Sequence, residues 1–296
     1  MKAILGYCFI ILVLLFRCEP ANDPAKEEWI QLFNGTDLTG WDIKVAGSDL
    51  NVNLNNTFRV ADGSLKVDYK EYARFNGEFG HIYYRDPFSY YRVRLEYKFV
   101  GQQLEGGPPW ARLNSGIMVH SQSAKSLEKN QTFPVSLEMQ FLAGDGKEER
   151  TTGNLCTPGT EVYRDGLRIE AHCIDSDSKT YAANEWVKAE AVVLSDSIIH
   201  HIINGDTVLS YERPHISELF VSKDNNWTFG GFLDSLQWIQ KKDVALAEGY
   251  IALQAESHPV EFRKVELLNL RGCTDPRALN YKSYLIQSDN TQCRYK

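Results

Sequence analysis

From Gly249 to Leu270 the chain reads GYIALQAESHPVEFRKVELLNL. Its first half alternates strictly, with Ile251, Leu253 and Ala255 on one side and Gln254, Glu256 and His258 on the other. A period of two restricts such a segment to a β-strand with one dry face and one polar face. Two other segments repeat the arrangement. In PVSLEMQFLAG, Val135, Leu137, Met139 and Phe141 share a side and leave Ser136, Glu138 and Gln140 opposite. In NSGIMVHSQS, Met118, His120 and Gln122 oppose Ile117 and Val119. If these strands are neighbours, their polar faces merge into one surface carrying His120, Glu138, Gln140, Gln254, Glu256 and His258. Amide, carboxylate and imidazole in that combination either decorate a solvated sheet or line a polar cleft suited to a sugar.

The rest of the chain continues the strand reading. Thr57 to Val60, Ser64 to Val67, Tyr91 to Val100, Val187 to Leu194, Ile198 to Ile203 and Thr207 to Tyr211 are β-rich runs between Asn, Gly and Asp punctuation. Asn204-Gly205 separates two of them and predicts a tight hairpin, because both positions tolerate positive φ. Gly101 to Asn114 reads as a loop, and Lys223 to Val244 as a longer excursion rich in tryptophan and glycine. No segment holds a long helical period. The expected fold is one large all-β sandwich, which a single domain of this length can form.

The N-terminus sets the compartment. Lys2 precedes the apolar run Ile4 to Phe16, short for a membrane span and right for a signal core. Cys18 follows Leu-Leu-Phe-Arg, a loose version of a lipoprotein cleavage site; cleavage a few residues later with full secretion is the alternative. The division is therefore a signal peptide at 1–18, a polar tether at 19–28, a sandwich domain at 29–270 and a tail at 271–296. Export to the periplasm, the outer membrane or the medium is expected, with a membrane engaged only through an N-terminal lipid. Losing residues 1–17 removes Lys2 and Arg17 and takes the formal charge from −7 to −9, which excludes a basic nucleic-acid surface. Cys156, Cys173, Cys273 and Cys293 then allow three pairings. Cys156–Cys173 and Cys273–Cys293 are favoured, each closing a loop of roughly twenty residues, worth on the order of 3 kcal/mol. A zinc site lacks paired C-x-x-C spacing.

LFNGTDLTGWDI (Leu32 to Ile43), NSGIMVHSQS, PVSLEMQFL, GNLCTPGT, AHCIDSDSKTY, EWVKAE, HHIINGDTVLSYERP and LQAESHPVEFRKVEL occur in this order. Together they resemble the 3-keto-disaccharide hydrolase family over about residues 29–270. The resemblance implies a concanavalin A-like jelly roll acting on glycosides whose sugar carries a ketone at position 3. The tail, GCTDPRALNY followed by SDNTQCRY, is similar to a small cysteine-bounded module appended to secreted bacterial proteins. Its Asp275 and Asp289 are candidate calcium ligands, although calcium wants six or more oxygens.

For that implied substrate, a ketone acidifies the proton on the neighbouring carbon. A base removes it, an enolate forms, the anomeric oxygen is expelled, and water adds back for net hydrolysis. The route needs a base, an acid and enolate stabilisation rather than paired-carboxylate glycosidase geometry. Histidine is the natural base near neutrality, so His258 and His120 are catalytic candidates, with Glu256 or Glu138 orienting the imidazole or acting as acid/base. Gln140 and Gln254 suit sugar hydroxyls, Arg263 suits an enolate oxygen, His201 is a further binding candidate, and Trp110, Trp227 and Trp238 suit stacking on sugars. A divalent metal, calcium or manganese, held by His and Glu would serve the enolate too, though no H-E-x-x-H spacing supports it. Each has a plainer role: His258 precedes Pro259 and can simply end a strand, His172 can support the bridge at Cys173, and Arg263 can pair with Glu261 or Glu266. Trp29, Trp41 and Trp186 read as core. The chain has no G-x-S-x-G elbow, P-loop or G-x-G-x-x-G. The rival reading is a non-catalytic carbohydrate-binding module on the same fold.

Overall fold

A computed structural model describes residues 23–221 and 226–296. The signal segment at 1–18, with Cys18, lies outside the described residues. Two antiparallel sheets pack face to face as a jelly-roll sandwich. One has seven strands, in the order Cys173–Ile174, Asn154–Cys156, Leu137–Leu142, Asn114–Ser121, Tyr250–Ala255, Gly80–Tyr84 and Trp41–Val45. The ten-stranded sheet has Tyr90–Phe99 near its centre, flanked by Val187–Leu194 and Val260–Asn269.

The alternation explains the packing. Ile117 and Val119, Leu137, Met139 and Phe141, and Ile251, Leu253 and Ala255 all enter the core between the sheets. They meet Val93, Leu95, Tyr97 and Phe99 of the opposite sheet. Phe141 stacks on Tyr97 at 4.2 Å with the rings 7° from parallel, which ties the sheets together beneath the Glu138 strand. The polar sides of the same strands are left on the outer face of the seven-stranded sheet. The three strands singled out by their alternation are indeed adjacent there.

The Gly249–Leu270 stretch is two strands, not one. Ser257 takes φ = 79°, its N–H donates to the Tyr69 hydroxyl at 2.8 Å, and the chain crosses to the other sheet between Glu256 and Pro259. Asn204 and Gly205, at φ 51° and 100°, form the expected hairpin turn. The excursion before Val244 holds one short helix, Leu236–Ile239, and packs Trp227 with Phe220 and Phe232 in a small core of its own. Trp41 is buried, whereas Trp29 and Trp186 are half-exposed and carry arginines: Arg94 over Trp29 at 3.6 Å and Arg263 over Trp186 at 3.9 Å.

Disulfides join Cys156 to Cys173 and Cys273 to Cys293. In the tail, Asp275 accepts from Arg277 and from the Tyr295 hydroxyl, and Asp289 from Thr291 and Gln292 beside Arg271. Both acids are thus already engaged by protein donors. The tail also holds the N-terminal segment through Lys282–Glu28 at 2.5 Å and Ser283 N–H to the Pro24 carbonyl at 2.9 Å. Among the described residues no helix is long and apolar enough to cross a membrane.

Because Phe141 is fully buried at the sheet–sheet contact, Phe141→Ala is expected to cost ~3–5 kcal/mol by urea unfolding. A cost below about 1 kcal/mol would show that this stack is not the contact holding the sheets together.

Candidate active site

The outer face of the seven-stranded sheet is divided in two. Over Tyr83, Met118 and Ala252 it is roofed by Ala124 and Leu127 of the loop that follows Ser121. Beyond Met118 the roof ends, and a cleft of about 360 Å³ opens over Glu138, Gln140, Asn114 and Glu256.

One glycine shapes the floor of this cleft. Glu138 stands opposite Met118 in register, and the next outward position along that strand is Gly116. A Cβ there would meet the Glu138 Oε1 at 2.6 Å. Lacking one, Gly116 lets the Glu138 side chain lie across the sheet towards the strand that carries Gln254 and leads into Glu256. The Asn114–Ser121 strand lies between these acids, and the missing side chain lets Glu138 reach across it.

The two carboxyls are buried, and burial raises the pKa of both. Burial pushes Glu138 up to about 8, the Gln254 amide offsetting part of the rise. Burial and the charge of Glu138 hold Glu256 well above the usual carboxylate range. The pair is therefore an acid and a potential base near neutrality. Around it are polar atoms with no partner in the protein: Glu138 Oε1, Glu256 Oε2, Asn114 Oδ1 and both amide atoms of Gln254. His81, beside Gln254 on the next strand, adds an unpartnered Nε2, and burial lowers its pKa to about 3. Buried polar groups are normally satisfied, so this many orphans on one face mark a place for a polar ligand. Gln140 accepts from Asn154 at 3.2 Å through its Oε1. The Cys156–Cys173 disulfide and His172 form the far wall.

The other candidates lie elsewhere. His258 follows the left-handed Ser257, which ends the alternation, and its ring packs edge-on against Phe99 at 5.7 Å. Burial, with Arg112 and Arg150 nearby, lowers its pKa to about 4. His120 has φ = 48° at a strand irregularity, so its ring leaves the polar face; its Nε2 contacts the Ser195 carbonyl at 3.1 Å, against Tyr91. His201 bridges the Gly153 carbonyl and the Tyr211 hydroxyl inside the core. Arg263 donates to Glu96 at 2.6 Å rather than to Glu261 or Glu266. Of the loop tryptophans, Trp110 lines the cleft, whereas Trp227 is 3% exposed and stacks against Trp238. Asn114, Gly116, His81 and the wall role of His172 are additions from the structure. Asn114 and Gly116 continue the alternation of Met118 and were legible from it; the strand that carries His81 has no comparable signal. Among the described residues, one group of three metal-type side chains clusters within 4.8 Å, namely Cys156, His172 and Cys173, and its sulfurs are in the disulfide.

The 3-keto-alpha-glucoside-1,2-lyase-like domain matches residues 28–268. The chain belongs to this family. No curated protein matches it. Among solved structures, a protein of unknown function with a galectin-like fold from Bacillus subtilis is similar at 12% identity, covering 82% of this chain and 97% of its own, with a TM-score of 0.50. A protein from Parabacteroides distasonis, provisionally named a glycosyl hydrolase, shares 18% identity over 81% of this chain and 93% of its own, with a TM-score of 0.46. A carbohydrate-binding module from Bacillus subtilis shares 10% over 78% and 96%, at 0.43. The family and its fold place the chain among glycoside-acting or carbohydrate-binding jelly rolls.

Two outcomes follow from the floor geometry. Gly116→Ala is expected to cost ~1–3 kcal/mol through the Glu138 clash. Most of that cost should vanish in a Glu138→Ala background, which a double-mutant cycle by chemical unfolding will show. The second concerns pH. A carboxyl with an unfolded value of 4.5 and a folded value of about 8 favours the folded state below 4.5, and this contribution is lost as pH rises through about 8. Glu138→Gln should therefore be more stable than the parent above pH 8 by ~2–4 kcal/mol, with the gap closing towards pH 4. A gap independent of pH would contradict the raised ionisation.

Proposed function

We propose that the cleft binds a glycoside oxidised to a ketone at position 3 of its sugar and cleaves it by elimination and rehydration, with Glu138 and Glu256 as the proton-exchanging pair. The observation that carries this reading is the pair itself: two buried carboxyls of raised pKa, amid amide groups that have no partner in the protein. The family name, a lyase acting between positions 1 and 2, agrees with it.

The steps balance on these two side chains. Ionised Glu138 removes the proton from carbon 2, and the electron pair moves into the neighbouring ketone as an enolate. The amide N–H groups of Gln254 stabilise the oxygen that gains charge. The enolate collapses, the bond from carbon 1 to the aglycone oxygen breaks, and protonated Glu256 delivers its proton to the leaving oxygen. Water then attacks carbon 1 of the unsaturated ketone. Glu256, now ionised, takes the proton of the water, and Glu138 returns its own to carbon 2. The net change is hydrolysis, and the pair ends as it began. Gln140 and Asn114 hold ring hydroxyls during the cycle. The raised value of Glu138 makes it a stronger base than an ordinary carboxylate, while a fraction stays ionised at neutral pH.

The test compares aglycone release from methyl 3-keto-glucoside with release from methyl glucoside, with and without chelator. Only the keto compound is expected to be cleaved, with kcat/KM rising towards a plateau as pH passes through about 8. Glu138→Gln and Glu256→Gln should each lose about 10²–10⁴ in kcat/KM. His258→Ala, outside the cleft, should lose far less. Unchanged turnover in Glu138→Gln would sink the assignment. Sugar binding with no turnover of either compound would instead make this a carbohydrate-binding module, and loss of turnover on chelation would add a divalent metal such as calcium or manganese.

A further inference from the structure

The proposed chemistry occupies only the floor of the cleft. The two carboxyl side chains of its lining, Glu138 and Glu256, are both there. The mouth is formed by the exposed Trp110 and Phe229 with the half-buried Phe133 and Val221, and none of these side chains carries a charge.

Two of the mouth aromatics are conspicuously wet. Trp110 is 53% exposed and Phe229 is 64% exposed. Leaving large aromatic surface in water forfeits the stabilisation that burial would give, so two such rings bordering one cleft suggest a partner that covers them. Trp110 is also held in place. It stacks on Phe79 at 5.8 Å with the rings 6° from parallel and borders Phe133 at 6.5 Å. One face of the indole is thus backed by Phe79. Phe229 stands in a turn, its own N–H donating to the Asn226 carbonyl at 3.0 Å and to the Asn226 Oδ1 at 3.3 Å.

Resting on the reading of the floor as a keto-sugar site, we infer that the mouth is an aglycone subsite for a planar aromatic group. The substrates would be aryl or arylalkyl 3-keto-glycosides, with the sugar on the carboxyl and amide floor and the aromatic ring against Trp110 and Phe229. A second sugar ring is the less favoured aglycone. Its hydroxyls would face Phe133, Val221 and Phe229, which offer no side-chain hydrogen bond. Anionic aglycones are disfavoured by the ionised Glu138 below.

The test must separate ring recognition from leaving-group ability, since a phenoxide leaves more readily than an alkoxide. We compare 2-phenylethyl with ethyl 3-keto-glucoside, whose leaving groups are both alkoxides, and include a 3-keto-disaccharide. In the wild-type protein the phenylethyl compound should have the higher kcat/KM through a lower KM. Each of Trp110→Ala and Phe229→Ala should cut the phenylethyl-to-ethyl ratio by about three- to tenfold. Leu233→Ala, in the same loop but outside the lining, should leave that ratio unchanged. Equal kcat/KM for the two compounds in the wild type, a ratio insensitive to both ring deletions, or a disaccharide processed as well as the phenylethyl compound would overturn the inference while leaving the keto-sugar reading standing. If no compound is cleaved, the keto-sugar reading fails, and the subsite is judged by calorimetric binding of the same compounds: equal affinities for the phenylethyl and ethyl forms would refute it, and an affinity advantage lost in Trp110→Ala and Phe229→Ala would support it.

Discussion

A carboxyl removed from water resists ionising, and two of them placed together resist it more; the arrangement around Glu138 and Glu256 depends on that cost. In isolation such a pair would unfold its surroundings or fill with water. Here it sits on one face of a sheet whose other face is a continuous apolar core, with Phe141 stacked on Tyr97 in the layer beneath. The sandwich offsets an unfavourable site by rigid packing next door. Protonation lowers the cost further, because a neutral carboxyl is far cheaper to bury than an ionised one. The property that makes the site expensive is also the one that makes it useful as a base and an acid near neutrality.

Three constraints concentrate this chemistry in one spot. Alternation delivers Glu138, Gln140 and Gln254 to the outer face of the two strands on either side of Asn114–Ser121. Gly116 removes the side chain that would otherwise separate Glu138 from the Gln254 strand. The roof from Ala124 and Leu127 covers Tyr83 and Met118 and leaves the carboxyls at its edge. The first of these is a matter of pattern, and the second and third are matters of volume. That difference decides what can be read without coordinates. The sandwich, the adjacency of the three polar strands and the Asn204-Gly205 hairpin follow from a period of two and from turn chemistry, and both are local. The two short-range disulfides follow from separations of 17 and 20 residues in a compact chain.

The histidines show where the pattern stops. Alternation holds only while the backbone stays extended, and a single left-handed residue rotates everything after it. Ser257 does this to His258, and the left-handed conformation of His120 does it to that side chain itself. Glu256, one residue before the break, stays with the polar face; His258, one residue after it, packs beside Phe99. Ser257 is of a type that gives no warning of positive φ, and histidine, although enriched there, adopts it too rarely for His120 to be singled out from the sequence. The strand Gly80–Tyr84 failed to register for a different reason. Its sequence, GHIYY, has no clean alternation, and it is a strand because the strands on both sides require a partner. His81 therefore became visible only through its neighbours.

The shape of the cleft bears on the order of the proposed steps. Elimination benefits from a dry floor, since water would lower the pKa of Glu138 and weaken it as a base. Rehydration requires water at carbon 1 a moment later. A closed cavity would serve the first step and obstruct the second. An open mouth of uncharged rings over a buried carboxyl pair serves both: while the aglycone is in place it occupies the mouth and excludes solvent from the floor, and its departure opens the path by which water reaches carbon 1. On this view the leaving group is its own lid, and the sequence of events is set by occupancy of the mouth without any moving loop.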